Sequence, residues 1–115
     1  MANYVEITST AALTETIKRS DGQPILFFKH SSTCGISARA FREFERYLES
    51  PESDIVSNYV IVVQDAREAS NELAELVGVQ HESPQAILVR SGQAVWNDSH
   101  LALKTDLLKS AVTRA

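Results

Sequence analysis

Cys34 is the only cysteine among 115 residues, and it stands in a polar stretch, Ser31-Ser32-Thr33-Cys34-Gly35, after an apolar run and before a helical repeat. A cysteine reacts as its thiolate, and a helix N-terminus favours that anion through unpaired backbone N–H groups and the positive end of the helix dipole. Polar, loop-like flanks point to a reactive thiol rather than a small buried hydrophobe. Ser37 occupies the place of the second cysteine in C-x-x-C redox pairs, so Cys34-Gly35-Ile36-Ser37 is a monothiol version of that motif. Its hydroxyl is placed either to hydrogen-bond the thiolate or to cap the helix. His30 and Lys29 lie just upstream, where a cation would favour the thiolate further. The alternatives are a loop-structuring role for His30 and a solvated strand-end charge for Lys29. Cys34, Ser37 and His30 form the candidate catalytic set. Further along, Ser83-Pro84 precedes a strand. An X-Pro bond there is often cis, and the residue before it exposes backbone groups to an extended substrate segment.

A single cysteine excludes an internal disulfide, a cysteine-rich zinc cage, and any enzyme that resolves its own mixed disulfide with a second internal thiol. No metal ligand set stands out, and the sulfur chemistry of Cys34 needs an outside partner. Fifteen acidic residues against 11 basic ones give a net charge of −4, with the Lys and Arg scattered. Nucleic-acid binding, which needs concentrated positive charge, is not expected. The segment Met1-Ala2-Asn3-Tyr4-Val5-Glu6 has no basic region followed by an apolar one. No apolar run approaches the about 18 residues of a membrane span, so a cytosolic, soluble protein without membrane partners is expected.

The elements that must position the cysteine follow from the periodicity. At 43% hydrophobic residues, the chain suits one domain over 1–115. Ser9 or Thr10 caps a first helix with Leu13 and Ile17 on one face, ended by Asp21-Gly22. Pro24 to Phe28 reads as a strand buried on both faces. From Cys34 onward Ile36, Ala40, Phe44 and Leu48 recur at i, i+4 beside Phe41 and Tyr47, predicting a helix that Ser50-Pro51 terminates. Tyr59 to Val63 reads as a second buried strand. Asp65 with Glu68 has the spacing of a capping box for a helix carrying Leu73, Leu76 and Val77, which Gly78 closes in the left-handed conformation. Gln85 to Arg90 and Gln93 to Trp96 pair across Ser91-Gly92 as a hairpin, and Leu107, Leu108, Ala111 and Val112 mark a last helix. The order α-β-α-β-α-β-β-α is that of an α/β, thioredoxin-like fold with a central mixed sheet flanked by helices.

Phe28-Lys29-His30-Ser31, Thr33-Cys34 with Ile36-Ser37, Ser83-Pro84-Gln85, and Trp96 followed by Ser99-His100 occur together in order over nearly the whole chain. In these residues the chain resembles the YtxJ-type bacillithiol-system proteins, the monothiol bacilliredoxins. The resemblance implies a thioredoxin fold, a cytosolic location and removal of bacillithiol from S-thiolated client proteins, with Cys34 as the attacking residue. No cofactor is then bound, and the low-molecular-weight thiol is a co-substrate. Thr33, Gly35, Ser83, Pro84 and His100 form the expected binding surface, with Ser99 as a helix cap and Trp96 in the core. The family usually has Pro between the Cys and the Ile, where this chain has Gly35, a position that influences thiol reactivity.

Gly35 also makes the motif similar to the C-G-x-S of monothiol glutaredoxins, which carry a [2Fe–2S] cluster with glutathione. Their T-V-P and G-G-x-D segments are not matched here. A glutaredoxin-coupled arsenate reductase has a C-G-T-S-R motif that resembles Cys34 to Ser37, but it places Arg where this chain has Ala38. The non-enzymatic alternative is a stress-related adaptor that senses oxidation through Cys34.

Overall fold

The computed structural model describes residues 3–115; Met1 and Ala2, with which the N-terminal segment read above begins, lie outside the described residues. The apolar run that precedes the cysteine forms β2 (Ile25–His30), whose first five residues are buried because it is covered on both faces. It pairs in parallel with β3 (Ser57–Val62) and antiparallel with β4 (Gln85–Arg90), which continues into β5 (Gln93–Ser99). A short strand, β1 (Tyr4–Glu6), completes the order β1-β3-β2-β4-β5. Helices α1 (Thr10–Lys18), α2 (Gly35–Leu48), α3 (Arg67–Val77) and α4 (Thr105–Thr113) cover this mixed sheet.

Strand alternation sorts the core into two clusters. On one face Leu26 and Phe28 pack with Phe44, Tyr47, Leu88, Leu108 and Val112, from β4, α2 and α4. On the other, Ile25 and Phe27 pack with Leu13, Tyr59, Ile61 and Leu73, from α1, β3 and α3. Phe44 anchors α2 by stacking on Phe28, with ring centroids 4.8 Å apart. The helix that starts at the cysteine is thereby fixed to the strand that delivers it.

Several expectations hold in detail. Ser9 caps α1 by accepting from the Ala12 N–H at 3.1 Å, and Gly78 closes α3 with φ of 70°. Ser91 and Gly92 both take positive φ at the tip of the β4–β5 hairpin. Other local readings are corrected. The strand β1 precedes the first expected helix; its three residues are all exposed and carry no apolar pattern, so only backbone pairing with β3 defines it. The Asp65–Glu68 capping box does not form. Asp65 and Ala66 both donate to the Val62 carbonyl in a tight turn, and α3 begins one residue later with Ala66 at its cap. On α2 the buried stripe is Ser37, Ala40, Phe44, Tyr47 and Leu48, while Ile36 is 42% exposed. Leu76 likewise faces outward on α3.

Because β2 and β3 are parallel and β4 antiparallel, the C-terminal ends of β2 and β3 meet the N-terminal end of β4 at one edge of the sheet. The Cys34 loop, the residues after β3 and the Ser83-Pro84 segment all emerge there.

Candidate active site

His30 ends β2, Ser31 to Thr33 turn the chain, and Cys34 is the N-cap of α2 with φ −110° and ψ 126°. The first intrahelical bond runs from Ala38 N to Cys34 O at 3.0 Å. The N–H groups of Gly35, Ile36 and Ser37 therefore precede any helical acceptor and open toward the cap residue. This half-buried thiol sits where a developing thiolate meets the positive end of a 14-residue helix.

Ser37 is fully buried, and its Oγ accepts from Ser31 N at 2.8 Å while lying 2.9 Å from His30 Nδ1. Neither expected role fits this geometry. The hydroxyl ties the loop before the cysteine to the strand behind it, rather than bonding the sulfur or capping the helix. His30 stacks on Phe41 with centroids 4.6 Å apart. Burial holds its pKa below the ordinary histidine value, against the opposing pull of Glu45 and Ser37, so the ring is neutral at pH 7.

Lys29 departs furthest from its expected place. It is fully buried on the opposite face of the sheet, donating to Ser70 O at 2.9 Å and to His81 Nδ1 at 3.1 Å. Neither acceptor carries a full charge, and burial lowers its pKa to about 8. Between about pH 8 and the ordinary lysine value of 10.5 the folded chain has released this proton while the unfolded chain still holds it. Stability therefore rises with pH across that window, by about 3 kcal/mol from this group in all. Thermal melts of wild type and Lys29→Met at pH 7 and pH 9.5 check this: the rise is expected in the wild type and is expected to be absent in the variant.

Gln64, two residues past the end of β3, carries no motif or spacing that marks it. Its Nε2 donates to Ser31 Oγ at 2.7 Å and to Thr33 Oγ1 at 3.1 Å, and its Oε1 accepts from Ser32 N at 3.0 Å. One side chain thus holds all three loop residues before Cys34. The only sequence signal is a polar residue ending the apolar run Tyr59 to Val63.

The Ser83-Pro84 bond is cis. Ser83 Oγ is buried without a hydrogen-bond partner among the described residues. The Pro84 carbonyl accepts from His100 N at 3.0 Å, which brings His100, itself at φ 58°, beside the proline. His100 lines a shallow cleft with Ile36, Arg39, Leu101 and Lys104, on the flank of the first turns of α2. Ser99 makes no capping bond; its Oγ contacts His100 Nδ1 at 3.0 Å. Trp96 packs half-buried against the core cluster of α2 and α4. Gly35 is exposed, and an added Cβ would meet no heavy atom within 4 Å. As the first residue of α2, following an extended Cys34, it suits proline. Gly35→Pro is expected to raise stability by about 0.5–1 kcal/mol in denaturant melts. It also removes one of the N–H groups that face the sulfur, so a slower reaction of Cys34 with iodoacetamide is expected alongside.

The geometry described so far is a lone sulfur at a helix N-terminus, at the same end of the sheet as a cis-proline segment. The sequence pattern of the monothiol bacilliredoxin BrxC family matches residues 5–108. The chain belongs to this family. Among solved structures, one with a thioredoxin fold, provisionally described as an oxidoreductase, is similar with a TM-score of 0.81 and 32% identity over 94% of this chain and 92% of the other. Fasciola hepatica thioredoxin superposes with a TM-score of 0.75 at 19% identity, covering 96% of this chain and 97% of its own. Malassezia sympodialis thioredoxin gives a TM-score of 0.79 at 17% identity, with 99% and 91% covered. The fold is that of thioredoxin, and thiol redox chemistry is the function of this bacilliredoxin. No helix of the described residues is long and apolar enough to cross a membrane. Among the same residues no group of three or more His, Cys, Asp and Glu could hold a metal ion.

Proposed function

We propose that this bacilliredoxin removes bacillithiol, or a related low-molecular-weight thiol, from S-thiolated client proteins in the cytoplasm. The observation that carries the reading is Cys34 as the N-cap of α2, without a second thiol in the chain. The Cys34 thiolate attacks the small-thiol sulfur of the client's mixed disulfide. The client sulfur leaves as its thiolate, and Cys34 is left joined to the small thiol. A second small-thiol molecule, or an external reductase, then attacks that adduct and returns the Cys34 thiolate, with the first small thiol carried away as a disulfide. The chain cannot skip this stage, since Ser37 stands where an internal resolving cysteine would.

Gln64, Ser37 and His30 hold the loop that presents the sulfur. Ser83, Pro84 and His100 offer the client an edge at the same end of the sheet, with Thr33 and Gly35 on the near side. Arg39 and Lys104 line the cleft beside Ile36 together with Glu43, whose carboxylate is already bonded by Thr105, and so suit a small thiol that bears carboxylates. The test is release of client from a mixed disulfide, followed with intact-mass detection of the adduct on Cys34.

A further inference from the structure

The buried cation on the far side of the sheet has no part in the chemistry above. Lys29 reaches across from β2 to α3 and to the segment that leads into β4. Its ammonium meets the Ser70 carbonyl at 2.9 Å and His81 Nδ1 at 3.1 Å, and the Ser70 hydroxyl lies 3.2 Å from the same nitrogen. Lys29 and Ser70 are both fully buried, and no carboxylate among the described residues forms a salt bridge with the lysine. A buried ion of this kind costs stability, and a hydrocarbon of equal length in its place is commonly neutral or stabilising. Packing therefore gives no reason for a lysine here.

What the lysine does reach is the segment that carries Ser83 and Pro84. His81 lies two residues before Ser83, on a stretch with no ladder bonds of its own. Gln85, nearly fully buried and opposite Lys29 in the β2–β4 register, holds the same stretch through Gln80 O at 3.0 Å and Glu82 N at 3.3 Å. Lys29 is also the residue before His30, so a single strand end fixes the cysteine loop on one face of the sheet and the proline segment on the other.

We propose that Lys29, Ser70 and His81 form a strut, buried at Lys29 and Ser70 and half-buried at His81, that sets the Ser83–Pro84 edge against Cys34, and that Lys29 and His81 are positioning residues for docking the thiolated client. The proposal rests on the transfer reaction above and adds to it a part of the protein that does not touch the sulfur.

The test measures kcat and KM for release of a thiolated client, and separately the rate of Cys34 alkylation by iodoacetamide, which needs the thiolate but no docked polypeptide. His81→Ala is expected to raise KM for the client about tenfold while alkylation stays within about twofold of wild type. His81→Asn, which keeps an acceptor at the position of Nδ1, is expected to restore most of the loss. An unchanged KM in His81→Ala, a parallel fall in alkylation, or no recovery with asparagine overturns the proposal. Should His81→Ala not fold, Lys29→Met combined with Ser70→Ala removes both donors to His81 and carries the same expectation. Wild-type chain that releases no client would instead overturn the transfer reading itself.

Discussion

A Cys34→Ser chain is expected to fold normally and to lose client release by about a thousandfold or more, down to the uncatalysed rate. The structural half of this expectation follows from the cap position. Serine is a preferred N-cap residue, so the exchange leaves α2 at least as well started as before. The chemical half follows from the cysteine count. No other side chain can form a mixed disulfide, and an alcohol at neutral pH is a far weaker nucleophile than a thiolate. A melt that matches wild type, together with no adduct in the intact mass and no release, is the expected pair of results. Residual release above background would place the nucleophile elsewhere and overturn the mechanism.

Ser37→Ala is expected to lower both stability and client release, through a different route. The hydroxyl is fully buried and serves both Ser31 N and His30 Nδ1. Removing it leaves a loop N–H and an imidazole nitrogen without that partner, at a cost of about 2 kcal/mol. The loop before Cys34 then slackens, and client release is expected to slow by about tenfold without being abolished. Denaturant melts and release kinetics on the same preparation check both numbers. A stability change below about 0.5 kcal/mol would show that the hydroxyl does not staple the loop as described.

How much of this was readable beforehand depends on the kind of interaction. The strand ending before Cys34 and the helix starting at it were visible because both are written in apolar periodicity, 25–28 for the strand and Ala40, Phe44 and Leu48 for the helix. Glycine and proline punctuation carried the hairpin and the end of α3, since positive φ and cis bonds are properties of those residue types. What periodicity does not encode is which partner a polar side chain finds across the sheet. A lysine at a strand end reads as a solvated charge, or as a cation near the thiol, because that is where such a side chain usually lies. The true acceptors of Lys29, Ser70 and His81, lie 41 and 52 residues away. Gln64 leaves no local signal for the same reason, as its bonds span some thirty residues to the cysteine loop. Ser37 was noticed through the C-x-x-C comparison, but its partners became definite only once the loop folded back on it. The strand β1 was invisible because three exposed residues gain order only by pairing with β3.

The proposed transfer of a low-molecular-weight thiol from a client protein to Cys34 has a direct readout. It is tested most directly by mixing the reduced chain with one client carrying either bacillithiol or glutathione as a mixed disulfide, and following client release and intact mass together. Faster release is expected from the bacillithiol-carrying client, with one equivalent of bacillithiol added to the chain and none to Cys34→Ser. Release from neither client, with the chain's mass unchanged, would contradict it.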